Sequence, residues 1–454
     1  MAEPQLRPEE VAVRAVELAR RHGAEQCDAI VQQFDEASVS VRLGEIEKVM
    51  EAGSRALGLR VINGGRTAVC STTDFSLDSL EDFARETVEL ANIAAPDEYA
   101  GLPDPSQLAR GRADALQLFD EQVVAMTMEE RIALALECER IARGFDSRIN
   151  NSDGAGVSTR IGEVALANSH GFASSYPATS IGIGVEVMAD DNDGKKRNGS
   201  WYSSARSIHR LLSAEEVGRE AAKRAIGQIG ARKVGTKRAP VVFEPRMSVS
   251  LLGAVAGCIT GDALYRGATF LANRSGESIG SPLFSVIDDP LDPGRGGSRP
   301  FDGEGVSTSR RPIFDAGVFK GFLFDCYTAR RTSNQTTGSA ARGIEGSPSP
   351  SVSNMILQPG DIAPEAIVGG VQDGLFLTDL MGFGFNPTTG DFSRGAAGYW
   401  IENGAIAFPV TEINISGRLD QMLADIDAVG DDLTWFGAIA APTLRIREMM
   451  VSGL

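Results

Sequence analysis

The chain has 454 residues, above the roughly 250–300 at which a single hydrophobic core stops growing, so two domains are the default reading. Apolar residues at 42% and charged residues at 23% give an ordinary globular balance, which excludes a disordered or fibrous chain. With 61 acidic residues against 44 Lys and Arg the net charge is −17, a surface that repels phosphate backbones and anionic lipid.

The N-terminus, MAEPQLRPEEVAVRAVELARR, carries no apolar signal core, and no stretch approaches the ~18 apolar residues needed to span a bilayer. Pro8 opens a first helix, with Val11, Ala15, Leu18 and Ala19 at helical spacing and Gly23 as its stop. A β-rich run follows through CDAIVQQF, ASVSVRL, SRALGLRVING and GRTAVCST, and residues 77–93 read as a second helix. Thr127 and Glu130 form a capping box for a helix to about Arg143. Residues 155–206 alternate as strands, with Asp191-Asn192-Asp193-Gly194 as a hairpin turn. Ser213 and Glu216 form another capping box, for a helix to about Ile229.

The polar segment GARKVGTKRAP (230–240) reads as the domain boundary, giving an N-terminal domain at 1–232 and a C-terminal one at 238–454. Its Arg232, Lys233, Lys237 and Arg238 are the best candidate for a basic stripe, and they read as a solvated linker; no nucleic-acid partner is expected. Beyond it come the strand VVFEP, a Gly/Ala-rich segment, a long Gly/Pro loop from Asp288 to Gly305, and the hairpin PIFDAGVFKGFLFD. In YWIENGAIAFPV, Asn403-Gly404 suits a type I′ turn. The expected class is α+β: a mixed α/β N-terminal domain and a largely antiparallel β-sheet or barrel C-terminal domain.

The five cysteines (Cys27, Cys70, Cys138, Cys258, Cys326) are odd in number and form no C-x-x-C, which reads as reduced thiols in a cytoplasm. Gly276-Glu277-Ser278-Ile279-Gly280 matches a nucleophile elbow. That elbow needs a preceding strand, a following helix and a later histidine, whereas Pro282 follows and no histidine lies beyond His209. His22, His170 and His209 lack the i, i+4 spacing that puts two imidazoles on one helix face, and each reads as structural. The DDNDG loop has Ala189 and Ser200 at its first and last calcium-ligand positions. Asp288-Asp289 and Asp431-Asp432 read as caps or solvated loops, not as an acid/base pair.

The run GFGFNPTTGDFSRGAAGYWIENGAIAFPVTEINISG (382–417) resembles the signature segment of the TldD/PmbA family, formerly called modulators of DNA gyrase. GDALYRGATFLANRSGESIGSPLFSVIDDP (261–290) and the ending from Asp431-Asp432-Leu433 through APTLRIREMMVSG resemble it too. The resemblance implies two branches. TldD-type chains carry H-E-x-x-x-H on a helix, two histidines for zinc and a glutamate to activate water, with a cysteine near the C-terminus. Laid on that helix, Leu252 and Gly257 stand at the histidine positions and Gly253 at the glutamate. Cys258 falls one place beyond the second histidine position, and Leu433 to Ile439 run into APTLRI without a cysteine. A zinc hydrolase needs typically three protein ligands plus an open position, so no catalytic, cofactor or metal residue is expected in this chain.

The resemblance therefore implies the PmbA, or TldE, branch: the non-catalytic subunit of a cytoplasmic metalloprotease that trims small unfolded peptides. Zinc is expected in a TldD-like partner. The alternative is a zinc-free homodimer that binds peptide without cutting it; contact with DNA gyrase is suggested only by the older family name. The two glycines, four apart on one face, are expected to let neighbouring groups pack close against the helix.

Overall fold

The computed structural model describes residues 6–110, 114–192 and 194–453. Helix α1 (Pro8–Arg21) starts at its proline and ends before Gly23, whose φ of 98° is the left-handed conformation that glycine tolerates. Strands β1 (Gln26–Arg42), β2 (Glu45–Asn63) and β3 (Arg66–Thr72) follow, then α2 (Leu77–Ile93), the short α3 (Glu121–Ala125) and α4 (Met128–Gly144). Strands β4 (Ile149–Asn168), β5 (Ala173–Asp190) and β6 (Lys196–Ala205) and helix α5 (Ala214–Gly227) complete the first half. Both expected capping boxes are formed: Thr127 with Glu130, and Ser213 with Glu216, each bonding reciprocally.

The six strands make one antiparallel sheet in the order β3-β2-β1-β4-β5-β6. CDAIVQQF and ASVSVRL are parts of a single 17-residue strand, because β1 is paired on both sides and so needs no turn at its polar Asp35-Glu36. One face of the sheet is covered twice. Near the start of β1, Val11, Ala15, Leu18, Leu80 and Val88 of α1 and α2 pack on Ala29, Val31, Leu57 and Leu59. At the far end, Ala135, Cys138, Val217 and Ala221 of α4 and α5 pack on Val39, Val157, Ile183 and Val185. On the opposite face the far end presents small polar rows, such as Ser38, Ser158, Gly182 and Ser204 in register across four strands.

Strand β7 (Lys237–Phe243) opens the second half. Lys237 and Arg238, expected in a linker, are its first residues, since Ala239, Val241 and Phe243 alternate into the core. The expected solvated cations are all engaged. Arg232 stacks on Phe408 at 3.6 Å, Lys233 and Lys237 pair with Glu412 and Asp373, and Arg238 pairs with Glu448. Helix α6 (Pro245–Cys258) and α7 (Gly261–Tyr265) come next, then β8 (Val286–Asp288), β9 (Arg311–Asp315), β10 (Val318–Phe319), α8 (Cys326–Arg331), and a two-stranded ladder of β11 (Ala340–Ala341) and β12 (Ser349–Pro350). The remainder is β13 (Met355–Leu357), α9 (Pro364–Gly369), β14 (Asp373–Met381), β15 (Asp391–Glu402), β16 (Ala405–Arg418), α10 (Leu419–Ala424), β17 (Ile426–Val429), β18 (Thr434–Phe436), β19 (Ile439–Ala441) and β20 (Leu444–Ser452).

Strands β16-β15-β14-β7-β20 close into a five-stranded barrel through the β16–β20 pairing. A second sheet runs β10-β9-β8-β13-β19-β18. Pairings are antiparallel except β7–β14 and β13–β19, so the fold is α+β with a largely antiparallel second half. Asn403 and Gly404, at φ 52° and 78°, form the tight turn between β15 and β16. Asp191 is not a free turn residue: it is buried, and it pairs with Arg197 and accepts the Gly230 N–H. Asp193 of that expected turn and of the DDNDG loop lies outside the described residues.

Candidate functional site

Helix α6 forms because Pro245 presets its first turn and Met247, Leu251, Leu252, Val255 and Cys258 recur at helical spacing. Those residues are buried against the barrel and the second sheet, in a core shared with Phe243, Phe284 and Trp400. Leu252 is fully buried. Gly253 and Gly257 lie on the opposite, exposed face, and a Cβ built on either meets nothing within 4 Å. This corrects the expectation of close packing against the glycine face. The helix needs only one apolar stripe to hold it, and the structure leaves its glycine side open.

The rim of that face is polar. Arg394 of β15 donates to Ser250 Oγ at 2.9 Å and to the Leu380 carbonyl at 3.3 Å, tying α6 to the end of β14. Met381, the last residue of β14, is 44% exposed, and just beyond it the Phe383 ring stands wholly in solvent. At the N-terminal end of α6, the capping residue Glu244 is buried and receives both Arg224 Nη groups, at 2.9 and 2.7 Å. Burial pushes the Glu244 carboxyl up, and Arg224 opposes that shift. Arg224 also lies over the Trp201 ring at 4.2 Å. Arg224 and Glu244 border a cavity of about 320 Å³ that joins the first sheet, through Glu186, Asn198 and Ser200, to Arg246 of α6 and Asp379 of β14.

The other candidate residues are scattered. Ser278 sits in a turn with one bridge to Val318, and neither a strand before nor a helix after it builds an elbow. His22 pairs with Glu81 at 2.7 Å, and His170 Nδ1 lies 2.9 Å from the Pro103 carbonyl. His209 lies in a short 3-10 turn. Asp288 accepts the Ser353 N–H at 2.6 Å, and Asp432 caps Thr443 through both oxygens. Burial pushes the Cys258 thiol up to about 12, so it stays protonated and donates to the Ala254 carbonyl. Among the described residues, no three His, Cys, Asp or Glu side chains converge as metal ligands. The Arg224–Glu244 pair and Arg394 were missed by sequence reasoning. Glu244 before a proline is a readable cap signal, but its partner lies 20 residues upstream and no local pattern joins the two.

Three consecutive family models match the chain: PmbA/TldA metallopeptidase domain 1 at residues 27–91, the central domain at 122–229, and the C-terminal domain at 236–453. Metalloprotease PmbA of Escherichia coli O157:H7 is 34% identical over 98% of this chain and 96% of its own length. The metalloprotease TldD homolog of Haemophilus influenzae is 24% identical over 83% of this chain and 79% of its own. Among solved structures, a putative modulator of DNA gyrase from Bacteroides thetaiotaomicron superposes with a TM-score of 0.91 at 27% identity, covering 98% of this chain and 99% of that one. The chain belongs to the PmbA/TldD metallopeptidase family.

Proposed function

We propose that this protein is the non-catalytic, TldE-like subunit of a cytoplasmic peptidase, working beside a zinc-bearing TldD-like subunit on small unfolded peptides. One observation carries the reading. Where the resemblance lays the zinc helix on α6, Leu252 offers no lone pair and is turned into the core, and Gly253 and Gly257 have no side chain at all. These positions do not fit a zinc ion, whose binding takes imidazole, thiolate or carboxylate donors. The higher identity to a PmbA than to a TldD relative supports the same branch.

The geometry suits a wall. The 320 Å³ cavity is lined by Glu186, Asn198 and Ser200 of the first sheet and by Arg246 in the first turn of α6, and the glycine face lies open further along the same helix. Excluding bulk water from a chamber would strengthen electrostatics at a partner's metal. The test is to purify the chain alone and together with a TldD-type partner, measuring zinc and cleavage of an unfolded peptide. The chain alone is expected to carry no stoichiometric zinc and to cleave nothing, and the pair to do both. Zinc-dependent cleavage by this chain alone overturns the reading. Peptide binding by the chain alone, with no rate gain on adding the partner, favours the homodimeric binding protein.

A further inference from the structure

The two halves of the chain meet through polar contacts built around a buried ionic cluster. From the sheet come Asp28 of β1 and Arg60 of β2, with Arg60 Nη2 2.5 Å from Asp28 Oδ2. From the second half comes Arg342, next to β11, whose Nη1 lies 2.6 Å from Asp28 Oδ1. Glu304, on the loop after β8, approaches Arg60 at 3.7 Å and accepts the Cys326 N–H through Oε2 at 2.7 Å. Its other oxygen has no hydrogen-bond partner, and neither do Nε and Nη2 of Arg342. Asp302, on the same loop, accepts three backbone N–H groups, and Asp325 caps α8. Four carboxylates thus surround two buried guanidiniums, with Arg299 acting on Asp302 from the side.

The rest of the junction is thin in apolar contact. One small cluster, Ile30, Leu108, Leu166, Phe172 and Phe301, bridges it, joined by ring contacts of Trp201 with Phe436 and of Tyr99 with Tyr327. Elsewhere Arg330 donates to the carbonyls of Tyr99, Gly101 and Leu102, Tyr327 Oη donates to Asp97, and Arg206 donates to the Arg295 and Gly296 carbonyls. Cys326, whose N–H holds Glu304, also lines a cavity of about 420 Å³ that reaches Pro103, Gln107 and His170 on the first-half side.

We propose that this cluster is a proton-operated latch between the two halves: Glu304 holds a proton while the junction is closed and gives it up when the junction loosens. A buried carboxyl that faces two carboxylates, Asp302 and Asp325, and a guanidinium no nearer than 3.7 Å, with one oxygen unpaired and no solvent, is more stable neutral than charged. Burial pushes the Glu304 carboxyl up to about 7, Asp302 and Asp325 add to the shift, and Arg60 opposes it. The Cys326 thiol is pushed far above neutrality, mainly by burial, and stays protonated throughout. The sign follows from linkage. Between the ordinary glutamate value near 4.5 and about 7, the closed junction binds a proton that the opened one does not. Raising pH through that window therefore favours opening, and above it the effect of this group is constant.

Hydrogen exchange tests the latch on the whole chain from pH 5 to 8, with rates corrected for the intrinsic pH dependence of exchange. Backbone amides of residues 27–31 and 302–306 are compared with amides of α4, which packs on the first sheet and α5 away from the junction. In the parent chain the junction amides are expected to lose protection relative to α4, by up to about tenfold per pH unit, with the loss levelling off above pH 7. Glu304→Gln, which keeps an acceptor for the Cys326 N–H without the charge, is expected to flatten that dependence. A parent chain whose junction and α4 amides keep a constant ratio overturns the proposal without any variant. An unchanged slope in Glu304→Gln overturns it too.

Discussion

Two glycines on α6 decide how the candidate site is read. A glycine in a helix interior costs roughly 1 kcal/mol relative to alanine, and Gly253 and Gly257 have no close neighbour to gain from in return. Gly253→Ala and Gly257→Ala are therefore expected to stabilise the isolated chain, each by about 0.5–1 kcal/mol in chemical denaturation. A loss of stability in either would mean that the face is filled in solution. Leu252→His works against the core instead. It places an imidazole in a fully buried apolar site without a partner and is expected to cost about 2–4 kcal/mol. Gly227 is the contrasting glycine, since a Cβ there would lie 1.9 Å from Tyr399 Oη. Gly227→Ala must displace that ring and is expected to lower stability by about 1–3 kcal/mol.

At the scale of elements, what is legible is what local chemistry fixes. Pro8 and Gly23 bound α1, the two capping boxes start α4 and α5, and Asn403-Gly404 turns β15 into β16. Thr127→Ala and Ser213→Ala are each expected to cost about 1 kcal/mol, read as a shift of the denaturation midpoint. The fusion of two short runs into β1 was not legible, because strand length there is set by neighbours on both sides, one of them over a hundred residues away. In the second sheet the β9–β10 hairpin was legible, but the rest was hidden for a similar reason. Its strands run two to five residues, too short for a period, and they are held by pairings such as β13 with β19 that span more than eighty residues. For the site, the family resemblance located α6 and its three positions, but a glycine pair reads alike whether it admits a neighbour or faces open space. Only the structure separates the two. The Arg224–Glu244 pair belongs with these long-range features. Arg224→Ala would leave a buried carboxylate without its cation and is expected to destabilise the junction by about 3–5 kcal/mol, seen as a lower melting temperature.

For the whole molecule, three features come together: a helix without donors at the family's metal positions, an open face beside it, and exposed Met381 and Phe383 at its edge. On the proposed reading, such a chain would contribute shape to a reaction and leave the Lewis acid to another subunit. The measurement that bears most directly on this is the zinc content and peptide cleavage of the purified chain, alone and mixed with a TldD-type partner, before and after chelation. No tightly held zinc and no cleavage are expected from this chain alone, with chelator-sensitive cleavage only in the mixture. About one tightly held zinc per chain, lost together with an activity that this chain shows by itself, would contradict this reading.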